Sequence, residues 1–500
     1  MDKKRIILTV GMVSLVTILV RVAGLGREMF SAYFFGTTLV YDAFLLAFMI
    51  PNFFRGVLAE GGLNSAFIPV FADYLSPEKK KDAQRIISDT LGASLCLTLS
   101  LSLFFFIASS LTGFFPLSQK ILLTLSFLRF TIFYLVFVSM AALVMGVLNS
   151  LGHFSGPALA PLGLDLFWIL SLVTIAPLFG TGLEGRTYGL ILGLLVGGAA
   201  QFFIPAPALW RRGFSLKPTF NLKNPALVKM GKLLTPIIIG VAVTPINLLV
   251  DNFLAMRIRS EGMVTSLWYA NRLMQLPLGI FAVTLGTVAL PAMSRLASVG
   301  DLKQMKETLA YSLKLAFLLV VPAAFALIFF REPIIRVLFQ RGLFTSQSTQ
   351  MTATALLFLS LGLFGYSGNI VLTRAFYALK DTATPVKVGI LSIVSNLVLD
   401  LILMGPLKQG GIALSTSLVG ILNFALLFFL LQRKIGLLGG RKLLKISLEF
   451  VILSGLATLL AFGFFHFTAL RFGTGAALFS ALIVGSIIYF GINYLRKNYK

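Results

Sequence analysis

The chain has 500 residues, 57% of them hydrophobic and 12% charged, with a formal charge of +24 from 42 Lys and Arg against 18 Asp and Glu. Its mean hydropathy of +0.93 and its apolar share exceed those of soluble domains, where apolar residues make up roughly 45–50%, so the chain is read as an integral membrane protein. A single cysteine and two histidines exclude a disulfide scaffold and a zinc cluster, and basic residues that punctuate apolar runs, without gathering on a soluble face, exclude a nucleic-acid-binding domain.

The apolar runs are long and do not alternate, which predicts an all-α polytopic membrane protein of about fourteen spans. In chain order these are roughly 6–33, 38–73, 83–112, 121–148, 157–178, 187–210, 228–256, 264–297, 304–331, 348–379, 384–405, 411–432, 443–466 and 473–495. The first span follows a basic start and resembles a secretory signal, but Arg21 and Arg27-Glu28 stand where a small-residue cleavage site belongs, so it is expected to stay uncleaved. Arg21 falls ~22 Å along that helix, at bilayer depth. The second span carries Asp42, Asn52 and Arg55 around Pro51, which is expected to kink it. Asp251 lies in the seventh span; Tyr269, Asn271, Arg272 and Gln275 lie in the eighth. Asn396 and Asp400 stand four apart in the eleventh, on one helical face. Cys96 sits in an apolar run and is expected to fill packing space.

With the N- and C-termini in the cytoplasm, most of the 42 Lys and Arg fall on the cytoplasmic side, as the positive-inside rule requires. Arg331, Arg336 and Arg341 fall outside and are read as an amphipathic surface segment. Similarity recurs at a separation of about 225 residues, as in repeat-built transporters. Met49-Ile-Pro51-Asn-Phe-Phe-Arg-Gly56 and Pro69 resemble Gln275-Leu-Pro277-Leu-Gly279 and Pro291, and the segment from Gly146 to Pro157 resembles that from Ala375 to Pro385. The expected organisation is an N-lobe of six spans (1–220), a C-lobe of six (221–435) and a C-terminal pair (436–500), joined by the basic stretch 211–232.

Arginines inside apolar spans normally face a wet interior and a partner, because a guanidinium at bilayer centre costs at least ~2.5–3.5 kcal/mol. Arg21, Arg27, Arg55 and Arg272 therefore point to an anionic passenger. Guanidinium forks match phosphate oxygens, and the Tyr, Asn and Gln side chains beside Arg272 suit sugar hydroxyls or amides. The carboxylate set Asp251, Asn396 and Asp400 suits a hard cation or a proton. No Walker-type phosphate loop is present, which argues against ATP hydrolysis within the chain.

The ordered motifs Val20-Arg-Val-Ala-Gly-Leu-Gly-Arg27, Asp42 through Pro51-Asn-Phe-Phe-Arg55, Ala59-Glu-Gly-Gly62, Trp268-Tyr-Ala-Asn-Arg-Leu-Met-Gln-Leu-Pro277, Gln340-Arg-Gly-Leu-Phe344 and Thr384-Pro-Val-Lys387 closely resemble the MurJ (MviN) lipid II flippases of the multidrug/oligosaccharidyl-lipid/polysaccharide exporter superfamily. The resemblance implies two six-helix lobes around a central cavity, with the C-terminal pair forming a lipid-facing groove. It also implies a transporter, not an enzyme, that moves lipid II between leaflets of the bacterial inner membrane by alternating access. Substrate contacts transfer to Arg21, Arg27, Arg55, Arg272 and Asp42, with Glu28, Asn52, Tyr269, Asn271 and Gln275 beside them. Glu28 replaces the family's usual aspartate; Asn271 and Gln275 stand where many relatives have acids. The resemblance further implies sodium as coupling ion, held by Asp251, Asn396, Asp400 and Thr416, with no other cofactor. The implied partners are lipid II and membrane lipids, for a functional monomer that associates with cell-wall synthesis proteins. The alternative is a related exporter of another polyprenyl-linked oligosaccharide or of small-molecule drugs.

Overall fold

Apolar runs longer than a bilayer crossing fold as helices because only a helix or a closed barrel satisfies its own backbone in lipid. The computed structural model follows that rule. It describes residues 3–58, 64–111 and 116–498, and among them there is no strand; the Ala59-Glu60-Gly61-Gly62 motif lies outside the described residues. Among the described residues nine helices are long and apolar enough to cross a membrane, or eleven when two bent pairs each count as one span. The multi-pass all-α expectation holds, with the spans less regular than the sequence suggests.

The chain forms two compact units, residues 1–249 and 250–500. The first contains α1 (Lys3–Phe35), α2 (Leu39–Phe54), α3 (Asn64–Ala72), α4 (Lys80–Ser110), α5 (Gln119–Thr131), α6 (Tyr134–Ser150), α7 (Ser155–Leu170), α8 (Leu183–Phe203), α9 (Ala206–Trp210) and most of α10 (Pro225–Arg257). The expected second span is two helices: Thr38 caps α2 by accepting from the Tyr41 amide, Pro51 lies in its last turn, and α3 begins at Asn64. α5 and α6 are bent by 43°. α8 packs on α7 and on the helical segment 171–179 that follows it through a stripe of small residues. A Cβ at Gly189 would come within 2.5 Å of the Ala176 Cα, one at Gly193 within 2.2 Å of the Ser171 Cβ, and one at Gly197 within 3.0 Å of the Leu164 Cα. Backbones approach this closely where dispersion, not hydrophobic expulsion, must hold helices together.

The basic connection ahead of α10 is a strap laid along α4. Gln84 exchanges two hydrogen bonds with the Ser215 backbone, at 2.7 and 2.8 Å. The Thr219 amide donates to the Ser88 carbonyl at 3.0 Å, and Thr219 and Asn224 side chains donate to the two oxygens of Asp89. Cys96, further along α4, is exposed, where the sequence reading placed it as packing filler.

The second unit contains α11 (Met263–Pro277), α12 (Val283–Ser298), α13 (Leu302–Phe329), α14 (Arg331–Phe339), α15 (Ser346–Leu361), α16 (Leu363–Ala378), α17 (Ala383–Leu407), α18 (Gln409–Ile435) and α19 (Gly440–Asn498). α15 and α16 are bent by 46°. α19 is two helices merged across Gly473, whose φ of 78° breaks the run at a conformation that suits glycine. The short α14 carries Arg331 and Arg336 and buries Ile335 and Phe339, the surface segment expected for those arginines.

Candidate functional site

In the first unit the buried charges converge where α1 packs on α7. Arg27, Glu28 and Asp165 are 6%, 2% and 5% exposed. One guanidinium nitrogen of Arg27 lies 2.6 Å from the Glu28 carboxylate and the other 3.1 Å from Asp165. The cation also rests 4.8 Å from the ring of Trp168, one turn after Asp165, and the Trp168 indole donates to Ser31 at 3.0 Å. Spacing explains the arrangement: Arg27 and Ser31 are four apart on α1, Asp165 and Trp168 three apart on α7, so each pair shares a face. Sequence reasoning missed Asp165. Its signal was available, since it is a lone acid inside the apolar fifth span, the same signal that singled out Asp251.

The other first-unit candidates lie along α1 and α2 and just beyond α2. Arg21 is exposed and makes no ion pair among the described residues, although it shares a helical face with Glu28. Asp42 is buried, 1% exposed, in the first turn of α2. Arg55 is half-buried and donates to Asn52 at 3.0 Å.

In the second unit the candidates split. Asp251, Asn396, Asp400 and Thr416 come together as one buried cluster. The Asn396 amide nitrogen donates to Asp251 at 2.5 Å and to Asp400 at 3.0 Å, and Thr416 donates to the other Asp251 oxygen at 3.1 Å. Ser415, which the sequence reading did not single out, donates to the second oxygen of Asp400. Asp251, Asn396, Asp400 and Ser415 are 7%, 1%, 0% and 0% exposed. Among the described residues no Lys or Arg pairs with either carboxylate. Two carboxylates, an amide and two hydroxyls form an oxygen-rich donor set that fits a hard monovalent cation, and burial without a basic partner is what gives such a cation its hold.

On α11, Asn271 accepts from Gln275 at 3.1 Å, and Arg272 beside them is half-buried. Tyr269 turns elsewhere. It is fully buried against Phe339 and Phe344, with ring centroids 4.9 and 5.7 Å away, so the expected polar turn retains Asn271, Arg272 and Gln275 while Tyr269 packs the surface helix.

Two helical units that enclose charged clusters inside apolar spans define a polytopic membrane protein of the carrier class. Its fold is shared with a solved "Inward-facing conformation of a multidrug resistance MATE family transporter of the MOP superfamily", with a TM-score of 0.69 over 85% of this chain and 98% of that one, at 16% identity. The chain belongs to the MurJ family: the family model described as "Lipid II flippase MurJ" matches residues 31–483. A probable lipid II flippase MurJ from Rickettsia prowazekii is 32% identical over 492 residues, covering 96% of each chain. The lipid II flippase MurJ of Burkholderia cenocepacia is 31% identical over 497 residues, covering 95% of this chain and 94% of the relative. A solved lipid II flippase MurJ in an inward closed conformation superposes with a TM-score of 0.79 at 26% identity, over 98% and 99% of the two chains. This is a transporter family.

Proposed function

We propose that the chain carries lipid II, an undecaprenyl pyrophosphate bearing the disaccharide-pentapeptide unit of peptidoglycan, from the inner to the outer leaflet of the bacterial cytoplasmic membrane. The observation that carries this reading is the family match across residues 31–483, supported by arginines placed inside apolar spans. In this reading two lobes alternate between inward and outward openings around a central cavity. Arg21, Arg27, Arg55 and Arg272 take the anionic headgroup, and Asn52, Asn271 and Gln275 hydrogen-bond its sugars and peptide. Asp42 orients these cations. The polyprenyl tail remains in lipid or in the groove of the C-terminal pair, residues 436–500. The protein acts as a monomer beside cell-wall synthesis proteins, with both termini cytoplasmic.

Release demands that the outward state bind the anion less tightly, since a carrier shifts only by its differential affinity. Sodium is the proposed coupling ion. Asp251, Asn396, Asp400, Ser415 and Thr416 would hold it, and when bound it supplies the positive charge that two buried carboxylates otherwise lack. Membrane potential supplies a second bias, worth ~2.3 kcal/mol for each charge moved across 100 mV.

Translocation of lipid II in reconstituted vesicles tests the reading. The native chain is expected to expose lipid II on the far leaflet, and vesicles in which it does not would overturn the function. Arg272→Ala is expected to slow translocation at least about tenfold, because hydrogen bonds to charged groups contribute about 1.5–3 kcal/mol; full activity would remove Arg272 from the site.

A further inference from the structure

α4 buries only 22% of its apolar window, and Leu97, Leu103, Phe104 and Ile107 stand exposed along it. Towards its N-terminal end, α4, α6 and the start of α10 line a pocket of about 270 Å³. Leu58, Leu97, Leu227 and Leu234 make the pocket apolar, while Thr90 and Ser139 bring hydroxyls to it. Both of these residues are 3% exposed, and neither hydroxyl has a hydrogen-bond partner among the described residues. Hydroxyls within a helix can donate back to the carbonyl one turn earlier, as Thr98 does to Ser94 at 2.7 Å, Thr124 to Lys120 at 2.9 Å and Thr187 to Leu183 at 2.8 Å. Thr90 and Ser139 forgo that bond, and a buried hydroxyl without a partner is costly. A ligand that brings an acceptor oxygen removes the cost.

Water is a poor match for the whole space. The pocket is several times larger than the share of about 30 Å³ that one water takes, and each water needs two to four polar partners, whereas most of this lining is aliphatic. Depth points to the acceptor. The non-helical strap of residues 214–224 is tied by Thr219 and Asn224 to Asp89, the neighbour of Thr90, and its Leu222 borders the pocket. Irregular backbone does not face the hydrocarbon core, so the strap marks the membrane interface. Thr90 therefore lies where headgroup gives way to hydrocarbon, the level of glycerol esters. Leu97, ~10 Å further along α4, lies at the level of acyl chains.

We infer that this pocket is a site for membrane lipid: it takes one acyl chain of a glycerophospholipid, whose ester carbonyl accepts hydrogen bonds from Thr90 and Ser139 while the chain runs past Leu97 and Leu234. Recognition is of ester and chain, not of the headgroup. The site lies within the first unit and shares no residue with the candidate passenger contacts. A polyprenyl chain joined directly to pyrophosphate carries no such ester, so the site discriminates ordinary lipid from the passenger proposed above. Only that last contrast rests on the flippase reading.

Photolabelling of the purified chain in mixed micelles tests the inference. The probe is phosphatidylethanolamine with a diazirine in one ester-linked acyl chain, and labelled peptides are mapped by mass spectrometry. Label is expected within residues 90–98 and 227–234. Unlabelled dioleoyl phosphatidylethanolamine should compete at least about fivefold better than its ether-linked analogue, which lacks the carbonyl that the two hydrogen bonds reach. Thr90→Val combined with Ser139→Ala should erase that preference and leave the melting temperature within a few degrees of native. Should this variant not fold, Ala93→Leu keeps both hydroxyls, fills the pocket and should reduce labelling of both segments several-fold. Label confined to other segments, equal competition by ester and ether lipids, an ester preference that survives loss of both hydroxyls, or undiminished labelling of Ala93→Leu would each overturn the inference. Undecaprenyl phosphate competing as well as the diester would overturn it too, by making the pocket part of the passenger's path. A native chain that fails to translocate lipid II counts against the flippase reading and leaves the labelling result untouched.

Discussion

The buried cluster between α1 and α7 contains a basic side chain, whereas the buried cluster joining Asp251 to α17 and α18 has none among the described residues. In the first cluster the positive charge beside the carboxylates belongs to a side chain, Arg27. Two buried carboxylates that share one amide carry a charge that the proposed cation would neutralise. The lesson is that burial of two carboxylates in an apolar helical unit is met in one place by a basic side chain and in the other by amide and hydroxyl donors.

The sharpest way to break this contrast is to make the second cluster indifferent to ions. A ligand at 100 times its dissociation constant stabilises a protein by about 2.7 kcal/mol, so sodium should raise the native melting temperature by several degrees. Asp400→Asn should abolish that rise, as read by thermal unfolding in sodium against choline chloride. An undiminished sodium response in this variant would remove Asp400 from the cation site.

The same contrast recurs, on a smaller scale, in the loops that lead into α7 and α17. Asp381 sits in the second of these and accepts from Lys434 at 2.6 Å and from the Thr384 amide and hydroxyl at 3.0 and 2.8 Å. Burial alone would raise its carboxyl, but the Lys434 and Thr384 hydrogen bonds prevail and hold it at about 2. Its pKa is lower folded than unfolded. Its contribution is therefore complete above the ordinary carboxylate value of about 3.9 and is lost as pH falls from there towards about 2. Lys434→Met should cost about 1 kcal/mol or less, since the lysine side chain is 42% exposed and such pairs are weak. The Asp381 titration should move up towards 3.9, measurable by carboxyl-labelled NMR.

His153, the counterpart of Asp381 when the two loops are aligned on Pro157 and Pro385, faces repulsion instead of attraction. Burial and the nearby Arg212 push its imidazole below the ordinary value. Here the unfolded state binds the proton more readily, so stability is complete above about 6.5 and declines as pH falls below it. Arg212→Gln should have the smallest effect of the three on folding but should shift the His153 titration upward. With only two histidines in the chain, labelled-imidazole NMR resolves it, and an unmoved resonance would mean that burial alone sets the shift.

How much of this was legible beforehand depends on the range of the interaction. Asn396 and Asp400 are four apart, so their shared face followed from helical geometry alone. Ser415 adjoins Thr416, yet hydroxyls are so common in spans that nothing marked it as the residue that reaches Asp400. Asp165 carried the same signal as Asp251 and was passed over because its partner, Arg27, lies 138 residues earlier. Tyr269 misled for the opposite reason. Its i to i+3 spacing with Arg272 suggested one polar surface, but the aromatic pair Phe339 and Phe344 outcompetes that preference through burial that no local pattern encodes. The bends between α5 and α6 and between α15 and α16 are likewise set by packing, since hydropathy averages straight through them.

That displaced tyrosine gives the second unit a mechanical linkage. Because the Tyr269 ring is wedged against Phe339 at the end of α14 and Phe344 in the following turn, the arginine-bearing surface helix and the turn that presents Arg272 are clamped to one aromatic pivot. The amphipathic helix therefore shares one aromatic anchor with the helical turn that carries Arg272, so surface and interior of this unit are packed through the same ring.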